Sequence, residues 1–323
     1  MSYFVPQLSY DVDTPSIEIL ELNDKEIKFT LDNCDLSFAN ALRRVMIAEV
    51  ATMAIDTVLM FENKSVLFDE FLAHRLGMIP LRSDTVHQYT YVRECDCEDH
   101  CPNCSFGFKL SVKAQDDNQA VTSKDLQPLS STPRGDDIRP VSPRDTDLTE
   151  SQYSDYQAPS SSDPILIARL VPDQSISLQC YATKGIGKLH SKWSPVSSVK
   201  LQHEPDITIN TAKMEELTDV EKQGFVKSCP TGVYSYDGRR VEVKDMMKCT
   251  FCNECIYYAD EEIKKKQLVI IKEKPNKFTF TVEATGALPP ERIVLDALLV
   301  LQKKLGEVEH PIETASSRGP RFD

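Results

Sequence analysis

The clearest periodic pattern lies in residues 36–50, where apolar side chains recur at the three- and four-residue spacing of an amphipathic helix. Its stripe is formed by Phe38, Ala41, Leu42, Val45 and Met46. Asp35 or Ser37 can cap the first turn, because a short side-chain oxygen accepts hydrogen bonds from free backbone N–H groups. The polar face carries Arg43 and Arg44, which can lie in solvent or be held toward the carboxylates or carbonyls of a partner.

The rest of the pattern predicts an α+β chain. Alternating polar and apolar residues predict a hairpin over 17–31 and strands over 55–61, 165–170, 175–182 and 277–283. A short helix is predicted over 69–76, ended by Gly77 and Pro80. Pro289-Pro290 can open a last helix, because proline is tolerated in a first turn. The apolar stripe of that helix is Val294, Ala297, Leu298, Leu301 and Leu305.

Between residues 114 and 164 the composition changes to Asp, Ser, Thr, Pro, Gln and Asn, with few large apolar residues. Repeated prolines interrupt regular structure in such a stretch. This composition predicts a long solvated insertion that is at least partly mobile.

Composition narrows the class of protein. With 323 residues, 41% of them hydrophobic, the chain can form two domains or one domain interrupted by another. Its net charge of −13 argues against direct, dominant nucleic-acid binding, because an acidic chain repels a phosphate backbone. No apolar run reaches the roughly 20 residues that span a bilayer, and the first residues do not resemble a signal peptide. We therefore expect a reducing compartment, where ten cysteines indicate metal rather than disulfides.

Four cysteines fall within ten positions, at Cys95, Cys97, Cys101 and Cys104. Zinc takes four soft ligands at about 2.3 Å, and close pairs on short loops supply them. His100 could compete as a ligand, but four thiolates already close the coordination sphere. A closed sphere leaves no position for substrate, so we predict one structural zinc ion.

A second set combines Cys249, Cys252 and Cys255 with Cys229, which precedes a proline. Three thiols at three-residue spacing plus a distant Cys-Pro is how bacterial-type ferredoxins hold a cubane cluster. Here the fourth cysteine lies before the triplet, so an iron–sulfur cluster, a second zinc or free thiols all remain open. The isolated Cys34 and Cys180 are expected to pack in the core.

No enzyme signature is present in the sequence. It has no nucleophile elbow, no Walker A sequence and no His-Glu-x-x-His motif. Nothing in it resembles the Asp-rich magnesium loop that two-metal nucleotidyl transfer requires. We therefore assign no catalytic residue.

Residues 38–46, FANALRRVM, resemble the signature helix of the alpha-like subunits of multisubunit RNA polymerases. Residues 69–81, DEFLAHRLGMIPL, resemble a second signature of that family. With the four-cysteine loop, the resemblance is strongest to the third-largest subunits of eukaryotic RNA polymerase II, and it also extends to the archaeal counterparts. Some archaeal members carry an iron–sulfur cluster in a ferredoxin-like insertion. The second cysteine set departs from the polymerase II pattern.

The resemblance implies a discontinuous alpha-like dimerisation domain with an inserted, mostly-β zinc-binding domain. The dimerisation domain would comprise residues 1–55 and 271–310, followed by a flexible tail at 311–323. The inserted domain would span 56–270. It would contain a zinc loop at 93–106, the insertion at 114–164 and a ferredoxin-like segment at 225–262.

The resemblance further implies a nuclear, non-catalytic assembly subunit. It would pair with a smaller alpha-like subunit through both long helices, and dock the second-largest subunit and small zinc-bearing subunits. The partner-binding residues are then expected to be Phe38, Ala41, Leu42, Arg43, Arg44, Val45, Leu298 and Leu301. Likeness to the bacterial alpha subunit assigns Arg43 and Arg44 to the large-subunit contact. The alternatives are the related subunit shared by polymerases I and III and, more distantly, an iron–sulfur redox protein.

Overall fold

The structure is a computed structural model that describes residues 14–129, 138–141 and 164–317. Its contacts divide the chain into two units. The first contains residues up to Glu21, Lys28–Ala41 and Lys200–Thr281. The second contains Leu22–Ile27, Leu42–Val199 and the residues from Val282 onward. Both units mix helices with antiparallel strands, as the α+β prediction required. The predicted domain bounds stay a prediction.

A four-stranded sheet gives the first unit its frame. Its strands, in the order β1-β2-β12-β9, are β1 (Ser16–Leu22), β2 (Glu26–Asp32), β12 (Val269–Ala284) and β9 (Val196–Ile209). The predicted hairpin is confirmed, and the strand predicted at 277–283 is the end of a longer one. Alternating residues face a core in which the Phe29 and Phe280 rings stack 4.9 Å apart.

The signature helix is α1 (Leu36–Ala48). Asp35 caps it as predicted, since its carboxylate accepts the Ser37 backbone N–H at 3.2 Å and also the Ser37 hydroxyl. These hydrogen bonds hold the pKa of Asp35 below its usual value. The buried stripe is Ala39, Leu42, Val45 and Met46. The inward face starts at Ala39, whereas Phe38, which the sequence places on the same apolar stripe, is exposed.

A small helical and hairpin segment completes the first unit. Its elements are α3 (Thr211–Glu215), α4 (Asp219–Ser228), β10 (Tyr234–Tyr236), β11 (Val241–Val243) and α5 (Glu254–Glu261). Thr218 and Glu221 form a reciprocal capping box that fixes the start of α4. Phe225 of α4 and Tyr234 of β10 are buried with their rings 4.9 Å apart, so this segment has an apolar core of its own.

The second unit is built on a sheet ordered β3-β8-β4-β6. Its strands are β3 (Ala51–Asn63), β8 (Ser175–Ile186), β4 (Ser105–Lys113) and β6 (Gln127–Pro128). The strands predicted at 55–61 and 175–182 are both present, and both are longer than predicted. Register shifts interrupt the β3–β8 pairing between Ile55 and Thr57 and between Met60 and Glu62. The predicted short helix is α2 (Asp69–Gly77), which buries Leu72 and Leu76.

The prediction of a solvated insertion over 114–164 was wrong for its first part. Residues 119–122 form β5 (Gln119–Thr122), which pairs with β7 (Leu166–Leu170), the strand predicted at 165–170. Val121, Leu126 and Ile138 are buried in the core of this unit. A few well-spaced apolar residues suffice to order a segment, even where the average composition is polar. Residues 130–137 and 142–163 of the predicted insertion lie outside the described residues.

The last helix, α6 (Pro290–Ser317), is longer than predicted. The backbone continues this helix over 311–317, the first part of the predicted tail, and the flexibility of that tail stays a prediction. Propagating an existing helix adds a hydrogen bond per residue without a new nucleation cost, which favours this extension. Lys304 pairs with Glu49 at 2.9 Å and so ties α6 to the residue that follows α1. Among the described residues, no helix combines the length and apolarity that crossing a membrane requires.

Candidate metal centres

The first four cysteines converge as their spacing predicted. Cys101 and Cys104 form a turn in which the N–H of Cys104 donates to the Cys101 carbonyl at 3.1 Å. Sulfur–sulfur distances are 3.5 Å for Cys95–Cys101, 3.6 Å for Cys97–Cys104 and 3.7 Å for Cys101–Cys104. A tetrahedron with bonds of about 2.3 Å has edges of about 3.8 Å, so the thiols already lie at the spacing of one zinc-sized ion. These four cysteines can hold a metal ion.

Neighbouring groups shift the pKa values of three of these thiols, one downward and two upward. Hydrogen bonds with the Cys95 and Cys104 sulfurs raise the pKa of Cys97 to about 12. The backbone N–H of Asn103 lowers the pKa of Cys101 to about 7. Burial raises the pKa of Cys104. A cation bound here would therefore displace protons, as metal binding to thiols ordinarily does.

His100 does not join the four sulfurs in this structure. Its Nε2 lies 3.2 Å from the Thr57 hydroxyl, and its ring stacks on Tyr181 with centroids 4.5 Å apart. The imidazole thus links the loop at 93–106 to strands β3 and β8. Just before this loop, the Lys184 ammonium group donates to the Tyr89 carbonyl at 2.9 Å and so anchors the preceding residues to β8. These contacts position the cysteines on a rigid sheet.

The second cysteine set also meets around one small cavity. Cys229 follows α4, Cys249 and Cys252 lie in the loop before α5, and Cys255 is in its first turn. Within the described residues, only the first set has all its sulfurs within 4.8 Å of one another, so this set is more widely spaced. The loop between the cysteines passes through Phe251 at φ 55°, a conformation that bulky side chains rarely adopt. Backbone strain of this kind is typical of functional sites.

Two hydrogen-bond donors at the start of the β10–β11 hairpin contact two of these sulfurs. The buried Tyr234 hydroxyl donates to the Cys255 sulfur at 3.4 Å, and the Val233 N–H donates to Cys229 at 3.4 Å. Burial raises the pKa of Cys255 despite the hydrogen bond from Tyr234. For Cys229, burial acts to raise the pKa, but the donors from Val233 and Thr231 outweigh it and lower the value. No spacing motif points to Tyr234, because its contact with Cys255 depends on the fold of the hairpin.

The two isolated cysteines are buried as predicted. Burial raises the pKa of Cys180 to about 12, and burial together with Asp35 raises that of Cys34. Both therefore behave as apolar core residues.

The residues predicted to bind a partner divide into exposed and buried ones. Phe38 and Arg44 are exposed, and Ala41, Arg43, Leu298 and Leu301 are half-buried. Leu42 and Val45 are buried within the chain itself. Sequence reasoning missed Leu295, Leu299 and Val308, which are exposed on α6. The nearly continuous apolar run of this helix was the available signal, because a core-facing helix needs only one apolar face.

The apolar positions of α6 follow a heptad rhythm. Val294, Leu298, Leu301, Leu305 and Val308 recur at alternating spacings of four and three residues. Val294 is buried, whereas Leu305 is 68% exposed and Val308 is 59% exposed. The stripe thus begins at a buried residue and continues as an exposed seam. A regular seam of this kind is typical of helices that pack against another chain.

Comparison with known proteins shows the protein family to which this chain belongs. The model of the RNA polymerase Rpb3/Rpb11 dimerisation domain matches residues 28–305 of this chain. The chain belongs to this family of RNA polymerase subunits.

Individual relatives in this family show which type of polymerase subunit the chain resembles. The DNA-directed RNA polymerase II subunit rpb3 of Dictyostelium discoideum is 43% identical over 96% of this chain and 97% of its own length. Subunit 3 of the RNA polymerases II, IV and V of Arabidopsis thaliana is 42% identical over 94% and 93%. The Dictyostelium polymerase I and III subunit rpac1 is 34% identical over 92% and 81%. The predicted resemblance to third-largest polymerase II subunits is confirmed.

Proposed function

We propose that this chain is an Rpb3-type assembly subunit of RNA polymerase II, non-catalytic and nuclear. This proposal is supported by the chain's identity to two different polymerase subunits from one organism. The chain is closer to the Dictyostelium polymerase II subunit than to the polymerase I and III subunit, over nearly its whole length. Affinity purification of the tagged chain, with mass spectrometry of its companions, should recover polymerase II subunits. Recovery of polymerase I and III subunits instead would contradict the proposal.

The proposed mechanism is scaffolding by a heterodimer. The partner would be a smaller alpha-like subunit, packed on the α6 seam at Leu298, Leu301 and Leu305 and on the exposed Phe38 of α1. Leu42 and Val45 would support that contact from inside, because they hold α1 in place rather than face outward. The pair would dock the second-largest subunit and small zinc-bearing subunits, so that the two largest subunits can close around DNA.

Arg44 is proposed to contact the second-largest subunit. Its side chain is exposed, and within the described residues it makes no ion pair, so its guanidinium fork can meet a carboxylate. Arg44→Ala is expected to reduce copurification of that subunit about tenfold, because arginines are frequent interface hot spots. The free energy of unfolding of the chain should change by only about 0.5 kcal/mol. Lys227→Ala, an exposed cation on α4, is the control, and equal recovery from both variants would exclude this role.

We further propose that Cys95, Cys97, Cys101 and Cys104 bind one structural zinc ion. Sulfur distances close to a tetrahedral edge and a donor set of four thiols support this assignment. Zinc would brace the loop at 93–106, His100 would hold that loop against the sheet, and Lys184 would hold the residues just before it.

For Cys229, Cys249, Cys252 and Cys255 we propose an iron–sulfur cluster with a bracing role. Four thiols around one cavity, wider apart than a single ion requires, favour a polynuclear group over zinc. When bound, such a cluster supplies electron-transfer chemistry. The four cysteines would ligate it and so join α4 to α5. Tyr234 and Val233 would donate hydrogen bonds to the Cys255 and Cys229 sulfurs.

Tyr234→Phe tests this second site without disturbing its packing. The phenyl ring keeps its contact with Phe225, and only the hydroxyl group that donates to Cys255 is lost. Outer hydrogen bonds of this kind typically change metal retention about 10- to 100-fold, so iron release to a chelator should accelerate by about tenfold or more. The visible absorbance of anaerobically purified protein reports the release.

Tyr236→Phe is the matched control, because Tyr236 lies on the same strand but donates to Asp219 at 2.6 Å. Its iron release should equal that of the unaltered protein. Equal rates for all three proteins would remove Tyr234 from the site. Protein that contains no iron would refute the cluster itself.

A further inference from the structure

A second cavity in the first unit is unrelated to the cysteines. It has a volume of about 370 Å³, which is the size of a small-ligand pocket. Ile209, Met214 and Val241 give it an apolar side, and Lys222, Arg239 and Arg240 bring three cations to it. Among the described residues that line it, Glu215 and Glu242 carry the carboxylates, so three positive groups face two negative ones.

Lys222 is the unusual member of this group. It is only 8% exposed, and lysine is almost never buried this far without a partner. The described residues offer it neither an ion pair nor a side-chain hydrogen bond. The acids nearest in sequence are engaged elsewhere, since Asp219 accepts from Tyr236 and Glu221 caps Thr218. Its ammonium group therefore reaches solvent through the cavity that it lines.

The two arginines come from the turn of the β10–β11 hairpin. Asp237 fixes that turn, because its carboxylate accepts the backbone N–H groups of Arg239 and Arg240 at 2.8 and 2.7 Å. These hydrogen bonds involve only the backbone of the two arginines, and both residues line the cavity. Guanidinium forks match the oxygens of a phosphate group, and an ammonium group without a carboxylate partner can donate charge-assisted hydrogen bonds to the same oxygens.

We propose that this cavity binds a phosphate monoester, with Lys222 contacting the phosphate from inside and Arg239 and Arg240 closing over it. The apolar side formed by Ile209, Met214 and Val241 would contact the organic part of the ligand. The volume exceeds that of a bare ion, which favours a phosphate carried on a small molecule or on a side chain. The proposal is independent of the metal sites.

Isothermal titration of the full chain at fixed ionic strength tests it with three probes: inorganic phosphate, glucose 6-phosphate and phosphoserine. Saturable one-to-one binding of at least one probe is expected, and the tightest probe identifies the source of the phosphate. Lys222→Met keeps the length of the buried stem and removes the charge. It should weaken binding by about tenfold or more, because a charge-assisted hydrogen bond is lost.

Lys227→Met, on the exposed side of the same helix, is the matched control and should bind like the unaltered chain. Thermal unfolding checks the fold of each variant, and Lys222→Met should unfold at about the same temperature, since no ion pair or side-chain hydrogen bond is lost with the ammonium group. Absence of saturable binding to all three probes would overturn the proposal. Equal affinity of Lys222→Met and the unaltered chain would overturn it as well.

Discussion

Replacing Cys101 with alanine is expected to remove one equivalent of zinc from the purified protein. Cys101 is 3.5 Å from the sulfur of Cys95 and 3.7 Å from that of Cys104, so its loss opens the proposed tetrahedron at a corner. Without metal the remaining thiols no longer hold the loop at 93–106, and its cleavage in limited proteolysis should become about tenfold faster. Phe106 and Phe108 are buried in the sheet, so the fold of this unit should persist.

The matched control is Cys180→Ala, which removes a buried thiol from β8 of the same sheet. It should cost about 1 kcal/mol of stability and leave the zinc content unchanged. Zinc is measured by atomic absorption together with the protein concentration. Native protein without zinc, or a Cys101→Ala variant that retains all of it, would refute the assignment.

Leu305→Glu is expected to abolish heterodimer formation while leaving this chain folded. Leu305 is 68% exposed, so a charge there costs the isolated chain little. In a packed seam the same carboxylate would be buried without a partner, which should weaken the dimer by about 100-fold or more. Coexpression with the smaller subunit, followed by size-exclusion chromatography with light scattering, measures the effect.

Gln302→Glu provides the control, because it introduces the same charge on the same helix but away from the heptad seam. This variant should dimerise normally. If Leu305→Glu also dimerises normally, the seam formed by Leu298, Leu301, Leu305 and Val308 is not the interface.

The sequence predicted what depends on local periodicity and spacing. The helix at residues 36–48, the opening hairpin and the four-cysteine loop each follow from a short repeat whose physical cause is local. The burial of residues within α1 was less predictable. A stripe that starts at Phe38 and one that starts at Ala39 both fit a helical period, and only packing distinguishes them.

Features that depend on distant contacts could not be predicted in this way. Val121 is ordered because β7, more than forty residues later, pairs with its strand. Tyr234 meets Cys255, and Lys222 meets the arginines, only after the small segment has folded. In each case the role of the residue depends on a contact with residues that are distant in the sequence, and no local motif marks it.

Native mass spectrometry of the endogenous complex distinguishes a scaffold that pairs with a smaller alpha-like chain from a chain that acts alone. If the proposed pairing holds, gentle dissociation should release a one-to-one pair of this chain and a smaller alpha-like subunit. A stable monomer, or a pair made of two copies of this chain, would contradict it.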